Sequence, residues 1–140
     1  MIEESNVKTI TVENRDFLVP NLSAFEQKEI YFKIRPVLMA LAIHYGQQGF
    51  EFSDDVLENM LSREEISKQR QWLEDILMRG VREHRDGKNL RVDIESFHNC
   101  IHSMYVPLLV EILKHNFKDF FYSLKSEIEK IGDLVRARTQ

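Results

Sequence analysis

The chain has 140 residues, with 43% hydrophobic and 30% charged residues and a formal charge of −4. That length suits one domain burying roughly two-thirds of its unfolded surface, and the composition argues against disorder. The mild negative charge, with 8 Lys/Arg against 12 Asp/Glu in residues 1–70 and 11 of each in 71–140, predicts no nucleic-acid partner, because nothing basic enough is present to neutralise phosphates.

In chain order, residues 1–7 are polar and are expected to fray. Thr9–Val12 and Phe17–Val19 are β-branched and aromatic runs separated by the polar Glu13-Asn14-Arg15-Asp16, which predicts a β-hairpin over 8–20. A lone hairpin is marginal in water, so it must lie on an apolar layer or join a partner's sheet.

Ser23-Ala24-Phe25-Glu26 is a capping box. Beyond it Phe25/Ile30, Ile34, Val37/Leu38, Leu41 and Tyr45 recur at helical spacing as one buried face. Pro36 predicts a kink near 32–36, and Gly46 and Gly49 a helix stop. Ser53-Asp54-Asp55 caps a short helix running to Leu61. Ser62-Arg63-Glu64-Glu65 is a second capping box, opening a helix over 63–85 whose stripe is Ile66, Leu73, Leu77 (or Ile76) and Val81, with Trp72 at its edge.

Asp86-Gly87-Lys88 breaks that helix, and Leu90, Val92 and Ile94 alternate with charges as a short extended piece able to join the hairpin. From Glu95 to Arg138 the pattern is helical. Pro107 starts or kinks a helix, and a stripe of Val106, Leu109, Leu113, Phe117, Phe120/Phe121, Leu124, Ile128, Ile131 and Val135 follows. The whole reads as a mainly α single domain of four or five helices with a small N-terminal hairpin. Its helical core spans 23–124, and a sparse, heptad-like helical extension over 125–140 suits pairing with another helix.

Chemistry is thin along this chain. His98 and His102 stand at i and i+4, a zinc-compatible spacing on a helix, but lack a third ligand and a general base. The carboxylate groups Glu26/Glu29, Asp54/Asp55/Glu58 and Glu64/Glu65 lie at helix starts, where capping and the macrodipole account for them. Cys100 is the single cysteine, which excludes an internal disulfide and suits a reducing cytoplasm; the N-terminus carries no apolar signal core, and no apolar run is long enough to span a bilayer. No catalytic, cofactor or metal site is therefore expected. The cations Arg79, Arg82, Arg85, Lys88 and Arg91 are expected at a solvated helix end, with an acidic partner as the sharper reading. Phe117, Phe120, Phe121 and Tyr122, with Leu124, are the candidate partner-binding residues, because one helical stripe cannot bury rings about 100° apart.

The order of parts resembles the tail assembly chaperones of long-tailed bacteriophages and prophages. The matching residues are Thr9–Val12, Phe17–Val19, Leu22–Gln27, Arg35–Ala42, Val106–Leu113 and Asn116–Phe121. Gln47–Arg91 matches loosely, and the chain continues for 19 residues past Phe121. The resemblance implies a non-enzymatic helical protein of the bacterial host cytoplasm. Such a protein binds the tape-measure protein, keeps it soluble until the major tail protein polymerises around it, and self-associates. An oligomeric helical adaptor of unknown partner is the alternative.

Overall fold

A computed structural model describes residues 7–44 and 52–139, with the backbone alone at 43, 44, 64, 65, 135, 136 and 139. The expected stop at Gly46 and Gly49, the Tyr45 side chain and the fraying of 1–6 lie outside the described residues; Val7, also expected to fray, instead pairs with Pro20 in the sheet.

The hairpin forms as β1 (Val7–Val12) and β2 (Arg15–Pro20). Its two-residue turn places Glu13 and Asn14 at φ 48° and 65°, the left-handed pair that matches strand twist. It is not alone. β3 (Arg82–Arg85) and β4 (Lys88–Arg91) extend it into an antiparallel sheet of order β1-β2-β3-β4. The helix expected over 63–85 is thus corrected: a single turn α3 (Glu64–Ser67) and α4 (Arg70–Met78) end before Gly80, which sits at φ +74° and turns the chain into β3. Asp86-Gly87 closes the second hairpin in the same left-handed pair, φ 53° and 75°. The second capping box is absent. Ser62 ends α2 (Asp54–Ser62) with its hydroxyl donating to the Asn59 carbonyl, and Arg63 caps α3 without a side-chain bond.

The first box forms as expected at the start of α1 (Ala24–His44): the Glu26 N–H donates to Ser23 Oγ at 3.1 Å and the Ser23 N–H to Glu26 Oε1 at 3.1 Å. α1 runs without interruption through Pro36. Ser53 caps α2 by accepting the Val56 N–H at 3.3 Å.

The predicted helix from Glu95 also breaks. A 3₁₀ turn (Ile94–Phe97) gives way to Asn99 at φ 68°, a left-handed residue that no helix tolerates in its interior. A π turn (Ile101–Tyr105) then leads into α5 (Val106–Asn116). The widened turn stands where Pro107 withholds its N–H. α6 (Lys118–Thr139) completes the chain.

One apolar core joins the inner face of the sheet (Ile10, Val12, Phe17, Val19) to Ile30, Ile34 and Leu38 of α1, Leu57 and Met60 of α2, Leu73 and Leu77 of α4, Phe97, and Leu108, Ile112 and Leu113 of α5. The connection from β2 to α1 is tied down at the end of α5. The Leu22 N–H donates to Asn116 Oδ1 at 3.0 Å, and His115 Nε2 lies 2.6 Å from Asn21 Oδ1.

Candidate partner-binding surface

The predicted aromatic cluster divides by depth. Phe117, Phe121 and Leu124 are buried, because the helix turns all three toward α5 and the core. Phe52 stacks on Phe121 with centroids 5.2 Å apart. Phe120 is half-buried and meets Tyr31 of α1 edge-on at 4.5 Å. Tyr122 lies two residues, about 200°, from Phe120 and is 77% exposed. The five residues therefore do not make one surface. Phe120 faces α1, and Tyr122 opens to water on the other side of α6.

A second apolar strip lies on the outer side of α1. Phe25 and Phe32 are 67% and 64% exposed, and Pro36 is exposed with them. At seven- and four-residue spacing the three fall within about 40° of a single line. The expected burial of Phe25 is corrected on the same geometry: it stands five residues, about 140°, from Ile30, so it cannot share that face. The i to i+7 spacing of Phe25 and Phe32 is the signal that could have located this strip in the sequence. The Lys28 ammonium covers the Phe25 ring at 5.1 Å, and Tyr31 meets Phe32 edge-on at 5.2 Å.

The strip borders a groove between α1 and α6 of about 270 Å³, lined by Tyr31, Arg35, Phe120, Ser123, Leu124 and Glu127. Arg35 Nη2 donates to Glu127 Oε2 at 2.7 Å across it. That bond holds the Arg35 guanidinium protonated above its ordinary range. Farther along α6, Ile128 is buried while Ile131 and Leu134 are exposed, so the expected stripe leaves the core after Ile128; the Val135 side chain lies outside the described residues.

The histidine pair does not share a helix face. Asn99 separates His98 from His102, which are exposed on different turns rather than stacked on one helix face. Among the described residues no three His, Cys, Asp or Glu side chains gather in a metal-binding group. Of the cations, Arg79 stands at the C-cap of α4, paired to Glu26 at 3.1 Å, while Arg82, Arg85, Lys88 and Arg91 are carried by the β3–β4 hairpin rather than by a helix end, with Arg85 paired to Glu83 at 2.9 Å. No helix among the described residues is long and apolar enough to cross a membrane.

Compared with known proteins, residues 13–129 match the family model described as "Phage tail assembly chaperone protein, TAC". No curated protein and no solved structure matches the chain.

Proposed function

The chain belongs to the phage tail assembly chaperone family, and on that premise we propose that it binds the tape-measure protein and keeps that long helical chain soluble in the host cytoplasm until the major tail protein displaces it. The observation that carries this reading is the outer strip of α1. Its opposite face is already filled by Ile30, Ile34 and Leu38, so Phe25, Phe32 and Pro36 are apolar surface the fold itself does not use. A partner helix presenting residues at i, i+3, i+4 and i+7 lays its apolar face along such a strip. Phe120 extends the contact onto α6, while Phe117, Phe121 and Leu124 hold α6 in place and Tyr122 lies on the far side of that helix. The role is binding, without catalysis.

The test is co-expression with the tape-measure protein of the same genome and size-exclusion chromatography of the soluble fraction. Co-elution is expected, with the tape-measure protein insoluble when expressed alone. Phe25→Ser with Phe32→Ser should leave the chaperone folded and release the partner to the insoluble fraction. Co-elution undiminished by that double change would overturn the assignment of the surface, and a partner left insoluble by the unaltered protein would overturn the function. The oligomeric adaptor remains the second reading, supported by the exposed Ile131 and Leu134 on α6, which suit pairing with a second copy.

A further inference from the structure

Among the described residues β4 is an open edge of the sheet, and its register identifies the backbone groups it leaves unpaired. The two-residue turn at Asp86-Gly87 makes Arg85 and Lys88 a hydrogen-bonded pair, and alternation makes Glu83 and Leu90 the next. The Val92 N–H, donating to the Val81 carbonyl at 3.5 Å, continues the same alternation. The N–H and C=O of Asn89 and Arg91 therefore point away from β3.

On the outer face of the sheet Arg82 stands directly opposite Arg91, and both are exposed. Neither forms a salt bridge among the described residues. Two like charges directly opposed across strands raise the energy of the fold. On the other face Leu90, beside the same edge, is 43% exposed. Free backbone groups, paired cations on one side and an uncovered leucine on the other describe the complement of a particular strand.

We propose that the β4 edge binds an extended segment of a partner protein in which acidic residues alternate with apolar ones. The incoming strand pairs its backbone with Asn89 and Arg91. Its carboxylates face Arg91 and, one strand further in, Arg82, and its apolar side chains cover Leu90. A protein strand fits better than a nucleic acid, because only a peptide backbone supplies alternating donors and acceptors along a sheet edge. This surface shares no residue with the α1 strip.

The probe is a labelled, end-blocked peptide, Ser-Glu-Val-Glu-Val-Glu-Ser, followed by fluorescence polarisation and by amide hydrogen exchange of the full chain. We expect salt-sensitive binding, slowed exchange at Asn89 and Arg91, and no binding of the matching Lys-Val peptide. R82Q with R91Q relieves the opposed charges, so it keeps the fold, and it should weaken binding on the order of tenfold. The idea is overturned if the acidic peptide fails to bind or if the Lys-Val peptide binds equally. It is also overturned if protection appears along β1 instead, if R82Q with R91Q binds unchanged, or if a single-stranded oligonucleotide binds in the peptide's place.

Discussion

Glu83 lies on the core face of the sheet with 4% of its surface exposed. Its carboxylate accepts from Arg15 Nε and Nη2, each at 2.7 Å, and from Arg85 Nη2 at 2.9 Å. Arg15 in turn lies over a pair of rings, with its guanidinium 5.4 Å from the Phe17 ring and 5.3 Å from the Phe97 ring. These bonds, Arg15 foremost, hold the Glu83 carboxyl below its ordinary range against the opposing effect of burial. Arg15→Ala leaves a buried carboxylate with only Arg85 beside it and should cost about 3 kcal/mol, measured by urea unfolding at neutral pH. Because Glu83 binds its proton more weakly when folded than unfolded, its stabilisation is complete above the ordinary carboxyl value of 4.5 and is lost as pH falls through the lowered one. His115 acts in a second, milder window. Burial first, then Lys8 and Lys118, lower its pKa from 6.5, so the unfolded chain binds the proton more readily and stability declines as pH drops below that value. Unfolding midpoints should fall in two stages on acidification. The lower stage should vanish in Glu83→Gln and the upper in His115→Gln.

Among the elements, those with a local cause were legible in the sequence. α1 follows from Ser23, Glu26 and a three-to-four spacing of apolar residues, and β1–β2 follows from two β-branched runs around a polar turn. β3 was not legible, since Arg82-Glu83-His84-Arg85 carries no β-branched or aromatic residue. It is a strand because β2 offers an edge and Arg15 offers Glu83 a partner 68 positions away, and helix-period spacing cannot register a contact at that distance. The helical reading from Glu95 failed over 95–105 at the left-handed Asn99. The candidate surface was half legible: the α6 aromatics were singled out, but the exposed strip on α1 was not, because Phe25 was counted with the core. Gly80 makes the α4–β3 junction testable. A Cβ built there meets Pro20 Cγ at 3.2 Å, and its φ of +74° already disfavours any side chain. Gly80→Ala should cost about 1–2 kcal/mol in thermal or urea unfolding, with the far-ultraviolet spectrum otherwise preserved.

At the scale of the whole molecule one core serves both the sheet and the helices, and the C-terminal helix is only partly anchored to it. Ile128 is the last large residue of α6 in that core. Truncation after Gly132 should therefore leave the unfolding free energy within about 0.5 kcal/mol of the full chain. Truncation after Leu124 removes Ile128 and should cost about 2 kcal/mol. The sheet has its own long-range requirement, because β2 and β3 are adjacent in space yet Pro20 and Arg82 are separated by the whole of α1 through α4. During synthesis, at some 5–20 residues per second, the first hairpin leaves the ribosome several seconds before the strand that will flank it exists. Throughout that interval the outer backbone groups of β2 and the guanidinium of Arg15 face the cell unmatched. A nascent chain stalled inside α2 would display a bare strand edge, so newly made copies on one messenger are most prone to stick to each other in that interval.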